Sequence, residues 1–414
     1  MSDVAKSSMQ NMDEKMAIQD SDDVSDPFGL LYLVCFLDRT NIANAKLAGL
    51  EKGLSMPSNG YNTALWIFYI PFVLAELPSN MIMSLPYIKP NLWLGGQCFI
   101  LGILAMYQGL THSYGGLLGI RFLMGVSGSC FSGLLAYALQ GLDGKGGLSG
   151  WRWIFVVEGL LTIFFSVFIF IFLKGEDKTK LLARLDADKG EEKASSEVSW
   201  MKMIFDYKIW LMTFLFFCAD LSAGSMSSFN PTIVSQLGWI SRRAQVMTIP
   251  IWIVGIVGAL ASSLMSGKVN KRWPFILPAI VISVIGWTIH YNQVQPPAVR
   301  YFAQFPISFG TFVAMPLYIG LLTANLRGRA HQSMGTALQL GLGNCANFIS
   351  SNIFISKQAP RYPAGFGTGL GITILSFPLM LLVMVLFWRH NGTIEKRLAD
   401  GEALDDQADY KYVF

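Results

Sequence analysis

The chain has 414 residues, 52% of them hydrophobic and only 14% charged, with a mean hydropathy of +0.44. Soluble domains carry about 25% charged residues, so this composition excludes an ordinary water-soluble globule. The net charge of +4 comes from basic residues scattered between apolar runs, which excludes a nucleic-acid-binding surface.

Residues 1–27 are polar and Asp-rich and predict a disordered cytosolic tail. From residue 28 on, long apolar runs recur without strand alternation, so the fold class is an all-α polytopic membrane protein. Ten spans are predicted: 28–48, 61–85, 92–111, 151–173, 209–229, 243–266, 274–291, 298–325, 331–355 and 366–388. Residues 28–173 then form an N-terminal helical bundle and 174–208 a cytosolic linker. Residues 209–390 form a C-terminal bundle and 391–414 a second cytosolic tail.

Residues 115–142 are too short for two ordinary spans. Split at Ser127-Gly128-Ser129, each arm would measure about 18 Å, against a hydrocarbon core of about 30 Å. A short re-entrant helical hairpin and a single fused helix are the two readings. With the hairpin, 20 of the 31 Lys and Arg residues share the side of the N-terminus and nine lie opposite. The positive-inside rule therefore favours the hairpin and places both termini in the cytosol.

Within the spans, ionisable and amide residues are the candidates for function, because a charge at the bilayer centre costs roughly 2.5–3.5 kcal/mol on insertion scales. Asp38 and Arg39 interrupt the first run, with Asn41 close behind. A guanidinium fork matches a carboxylate bidentately, so Arg39 suits a small organic anion. Asp38 could orient Arg39 or accept a proton; a self-satisfied ion pair is the structural alternative.

Glu76, in "LAELPSN", is a proton carrier or interhelical polar glue, and Tyr69 on the same span could line a cavity. Asp220 lies among small and hydroxyl residues in "FFCADLSAGSMSSFNP", a segment expected to end at Asn230-Pro231. Gln339, Asn344 and Asn347, in "ALQLGLGNCANFISSN", share a broad face that could bind a ligand or pack helices. "GFGTGLG" at 365–371 reads as a packing or hinge feature, not a dinucleotide fingerprint. No metal-ligand spacing, nucleophile motif or cofactor motif occurs, so neither an enzyme nor a cofactor is expected.

Five segments in order resemble the fungal allantoate-permease-like branch of the major facilitator superfamily, within the anion:cation symporters. They are "FLDRTNIANAKLAGLE" (36–51), "YNTALWIFYIPFVLAELPSN" (61–80), "GLSGWRWIFVVEGLLT" (147–162), "FNPTIVSQLG" (229–238) and "GLGNCANFISSNIFISKQAPRY" (341–362). The resemblance implies two six-helix bundles working by alternating access around a midplane site. It also implies that Arg39 contacts a substrate carboxylate and that Asp38 takes part in proton coupling. The chain departs from the family around 121–133, where the inner halves of the fourth and fifth family helices are missing, together with an acid that usually follows "RFLLG".

The expected function is a proton-coupled symporter of a small carboxylate, vitamin-like or allantoate-like, in the plasma membrane. Its partners would be the anion, protons and the lipid bilayer, and it would act as a monomer. Metabolite efflux and a non-transporting sensor or decayed carrier are the alternatives, the latter prompted by the shortened 115–142 region.

Overall fold

The computed structural model describes residues 38–83, 90–127, 206–239, 241–269, 271–326, 329–400 and 410–414. Within these, the side chains of residues 38–41, 76–83, 90–95, 98, 241–242, 329–334 and 337 lie outside the description. All regular structure among the described residues is helical, as a bilayer demands when it offers no water to satisfy backbone groups.

The first half contributes α1 (Asp38–Leu47), the single turn α2 (Leu50–Gly53), α3 (Gly60–Met83), α4 (Pro90–Leu110) and α5 (Tyr114–Ser127). The second half contributes α6 (Tyr207–Gln236), α7 (Ser241–Val269), α8 (Trp273–Tyr291), α9 (Pro297–Ala324), α10 (Arg329–Asn344), α11 (Ala346–Ile353) and α12 (Pro363–Ala399). α6, α7, α8, α9 and α12 are each long and apolar enough to cross a membrane. The expected spans 28–37 and 151–173, and the part of 115–142 beyond Ser127, lie outside the described residues.

Two expectations are corrected. Asn230-Pro231 does not end α6, which runs on to Gln236. Pro231 has no N–H to donate; nearby, the Ser228 carbonyl accepts a hydrogen bond from the Tyr61 hydroxyl at 2.8 Å. The single span 331–355 is two helices, α10 and α11, meeting at Cys345. There the hydrogen bonds tighten to three-residue spacing, Cys345 N–H to Leu342 O and Phe348 N–H to Cys345 O. The span 366–388 lies inside a longer helix, which runs on to Ala399.

α6 is the hub. Most of its side chains are buried, and it packs against α1, α7, α9, α10, α11 and α12. Its first turn is capped by Asp206, whose Oδ1 accepts from Lys208 N–H at 3.0 Å. α7 and α12 instead expose apolar side chains such as Val257, Leu260, Leu264, Leu382 and Val385, the faces expected to meet lipid.

Because lipid tails are as apolar as leucine, close packing of small residues must hold such helices together. α8 and α9 show this. A Cβ on Gly310 would collide with the Ala279 carbonyl, and one on Gly286 would lie 2.6 Å from the Ala303 carbonyl.

Residues 237–239, 292–296 and 354–362 lie together at one end of the second half, joined by Gln236–Tyr362 and Gln293–Arg361 hydrogen bonds. We refer to it as the loop end. At the opposite, tail end, residues 410–414 return to the bundle. Asn325 clasps Val413 reciprocally, Nδ2 to Val413 O and Val413 N–H to Oδ1, both at 2.8 Å. Asn391 clasps Tyr412 the same way, at 2.9 and 2.7 Å. The Phe414 carbonyl accepts from Arg272 N–H at 2.7 Å, and Tyr412 stacks on His390 with ring centroids 3.9 Å apart.

Candidate functional site

The two halves meet where α1 packs on α6, and α3 on α10 and α11. Near the middle of α6, Asp220 is 2% exposed, and its Oδ2 accepts a hydrogen bond from Nδ2 of the fully buried Asn347. The contact exists because α6 is slim here. Gly224, one turn on from Asp220, has no Cβ, and an added one would collide with Asn347 Oδ1 and come within 2.7 Å of Ser350 Oγ. Asn347 Nδ2 also reaches Asn344 O at 3.3 Å, and the Asn347 carbonyl accepts from Ser350 and Ser351. The break at Cys345 thus carries a small polar node facing the one carboxylate of α6.

Tyr69 reaches this node across the seam. It is 3% exposed, and its ring lies 6.4 Å from that of Phe348, the neighbour of Asn347. Phe68 and Phe72 complete an aromatic cluster on α3. Asn344 Nδ2 donates to Leu340 O within its own helix at 2.8 Å. Gln339 sits apart from the node, its Nε2 donating to Met212 O at 3.2 Å and Tyr318 O at 3.3 Å, so it staples α10 to α6 and α9. Asp38, Arg39 and Asn41 are on α1 and Glu76 is on α3, with their side chains outside the described residues.

The structure adds residues that the spans did not single out. Arg121 is 2% exposed, its guanidinium carbon 5.8 Å from the centre of the Phe68 ring. Lys46 lies 4.0 Å from the Tyr61 ring centre and 5.9 Å from that of Phe229, and pairs with Glu51 at 3.4 Å. Both are charges inside or beside apolar runs, so the insertion-cost argument that selected Arg39 would have found them.

Three side-chain hydrogen bonds cross the seam toward the loop end. They run from Tyr61 to Ser228 O, from Asn62 to Phe354 O at 3.3 Å and from Gln245 to Asn44 O at 3.2 Å. One apolar cluster, with Ile42, Leu65, Met226, Phe229 and Phe354, spans both halves there. Among the described residues, these contacts close that end of the seam.

On the other face of α6, a small cavity is lined by Ser222, Ser283, Thr311, Thr373, Ser376 and Cys218, among others. Residues two apart on a helix point about 200° apart, so this hydroxyl-rich cavity and the Asp220 node lie on opposite sides of α6.

Two helical halves joined across a seam, with polar groups buried at mid-depth, define a polytopic membrane protein of the transporter type. A profile of the Major Facilitator Superfamily matches residues 144–383, more than half the chain, and the chain belongs to that superfamily. An uncharacterized transporter of Schizosaccharomyces pombe is 28% identical, over 91% of this chain and 84% of its own length. The high-affinity nicotinic acid transporter of Saccharomyces cerevisiae is 25% identical, over 93% and 82%. Among solved structures, a D-xylose-proton symporter aligns with a TM-score of 0.62 at 13% identity, covering 84% of this chain and 95% of that one. A bacterial homolog of the human lysosomal transporter Spinster, inward-facing and occupied, aligns with a TM-score of 0.60 at 15% identity, over 87% and 95%.

Proposed function

We propose that this chain is a secondary transporter that carries a small organic anion across the plasma membrane by alternating access, in symport with protons. The observation that carries the reading is the charge distribution about the seam. Between residues 207 and 394 the only acidic residue is Asp220, and it is engaged by an amide. The second half therefore presents a passing anion with one carboxylate, and that one can be neutralised by a proton. On the other side, α1 brings Arg39 into the helix that packs against α6.

In this reading Arg39 clamps the carboxylate of the cargo, while Asn41, Tyr69, Asn344 and Asn347 shape the site and Gln339 braces it from behind. Asp38, Glu76 and Asp220 are the proton-coupling candidates. The similarity to a nicotinic acid transporter supports a small carboxylate as cargo, and that to a proton symporter supports coupling. Both termini lie in the cytosol, which puts the closed loop end on the outside. The protein works as a monomer.

The test is uptake of labelled nicotinate, pantothenate and allantoate by cells expressing the chain, with surface expression measured in parallel. Arg39→Ala and Arg39→Lys should abolish uptake at unchanged expression. Asp220→Asn should lose uphill accumulation yet keep exchange of labelled for unlabelled cargo. Normal uptake by both Arg39 variants would sink the clamp.

The shortened 115–142 region favours one alternative, a non-transporting sensor. Thermal stabilisation by a carboxylate without flux would mark that outcome.

A further inference from the structure

We infer that the tail end of the second half is a peptide-recognition groove, and that residues 410–414 are its displaceable occupant. The segment has no regular structure of its own and is held through its main chain. Asn325 takes both the N–H and the carbonyl of Val413, and Asn391 both those of Tyr412. The Tyr410 carbonyl lies 3.1 Å from His390 Nε2, and the Phe414 carbonyl accepts from Arg272 N–H. A side-chain amide that offers one donor and one acceptor pairs with a residue as a neighbouring β-strand would, whatever that residue's side chain.

Side chains supply the selectivity. Tyr410, Tyr412 and Phe414 pack on the bundle while Lys411 is exposed, the period of two expected of extended chain. Tyr412 is 9% exposed and stacked on His390, with the Phe387 ring 4.8 Å away and Lys208 Nζ 4.6 Å from its own ring centre. The Tyr410 hydroxyl donates to Asn325 O and accepts from Lys208 Nζ at 3.3 Å. Phe414 meets the same Phe387 ring at 6.4 Å. Lys411 pairs with Glu395 at the surface. The ligand this groove fits is a peptide with aromatic residues at every second position.

The walls are fixed independently of the strap. Phe387 belongs to the apolar cluster that holds Val383 and Leu317. The Asn325 amide also donates to Leu321 O at 2.8 Å, and Lys208 pairs with Asp206 at 3.3 Å. Departure of 410–414 therefore leaves a formed groove, with water in place of the peptide's hydrogen bonds. Seated, the strap joins the ends of α6, α8, α9 and α12 through Lys208, Arg272, Asn325 and Asn391; released, it unties them. The groove stands apart from the Asp220 node and does not depend on the transport reading.

The experiment uses the purified full-length protein in detergent and a capped, fluorescein-labelled peptide of residues 408–414, read by anisotropy. Wild type keeps its own strap at an effective concentration on the order of millimolar. It should bind the peptide at least about tenfold more weakly than Tyr412→Ala, whose strap lacks the stacking ring. Adding Asn391→Ala to Tyr412→Ala removes one amide clasp and should weaken binding about tenfold. A Tyr412→Ala peptide should not bind, and a Lys411→Ala peptide should bind like the native sequence. In a second measurement on wild type, unlabelled Lys411→Ala peptide, which has no trypsin site, is added at millimolar concentration. It should speed tryptic cleavage after Lys411 of the protein several-fold.

Equal binding by wild type and Tyr412→Ala would show that 410–414 does not fill the groove. Binding indifferent to Asn391→Ala, or to Tyr412→Ala in the peptide, would remove the recognition groove. Failure of the peptide to bind a folded Tyr412→Ala protein would make the tail a fixed part of the fold and end the proposal. Unchanged cleavage in wild type would do the same, whether or not Tyr412→Ala folds.

Discussion

Replacing Gly224 with alanine tests whether the α6–α11 crossing sets the polar node. The new methyl would sit 2.7 Å from Ser350 Oγ and overlap Asn347 Oδ1. Ser350 can rotate away, but Asn347 is held by Asp220 and Asn344 O, so Asn347 must move. Overpacking costs about 1–3 kcal/mol, and loss of a hydrogen bond to a charged group about 1.5–3 kcal/mol more. The unfolding entropy of a 414-residue chain gives about 1 °C per kcal/mol, so Gly224→Ala should melt at least about 3 °C below wild type. Asn347→Ala should lose only the hydrogen-bond share. In the double variant the obstructing amide is gone, so it should melt no lower than Asn347→Ala alone. Melting of the four proteins in one detergent closes the cycle. Additive losses in the double variant would show that the methyl clashes elsewhere and that the reasoning about Gly224 is wrong.

Other outcomes follow from the same contacts. Asn325→Ala removes both arms of the clasp on Val413 and should cost about 1–3 kcal/mol, read as faster proteolysis of the tail. Burial holds the Tyr410 phenol above its ordinary value, against the opposing pull of Lys208, while its hydroxyl donates to Asn325 O at 2.5 Å. The tail contact is therefore complete below about pH 10 and should loosen as pH rises through the elevated value; Tyr410→Phe should flatten that pH dependence of proteolysis. Tyr61→Phe deletes the seam bond to Ser228 O and should weaken the closed loop end by about 0.5–1.5 kcal/mol, seen as faster thiol labelling of a cysteine placed at Asn62. Gly369→Ala would put a methyl 2.6 Å from the Trp287 ring and should cost about 1–3 kcal/mol in melting experiments.

Much of the architecture was legible because a bilayer solvates each helix separately. A run of apolar residues long enough to cross is stable as a helix whatever its neighbours, so 209–229, 243–266, 274–291 and 366–388 fall within observed helices, and 298–325 overruns its helix by one residue. Asp220 announced itself by cost alone. "GFGTGLG" was readable as packing, and Gly365 and Gly369 do meet Phe354 and Trp287.

Pairing was not legible. α6 is buried along most of its length, so no apolar stripe says which face meets which partner. That Asn347, 127 residues away, donates to Asp220, while Gln339 turns to Met212 and Tyr318, depends on the rotation and depth at which separate helices dock. Pro231 was misread for the same reason. A proline's cost in a helix is local, but the neighbouring helices that accommodate it come from far along the chain.

The sequence by itself determined a helical membrane chain, its apolar segments and the acid-poor second half, because partition into lipid is summed residue by residue. The tertiary structure alone decided which amide holds Asp220, which carbonyls Gln339 staples and where the last five residues dock. Those outcomes depend on contacts between helices distant in the chain, and a linear pattern of polarity does not encode them.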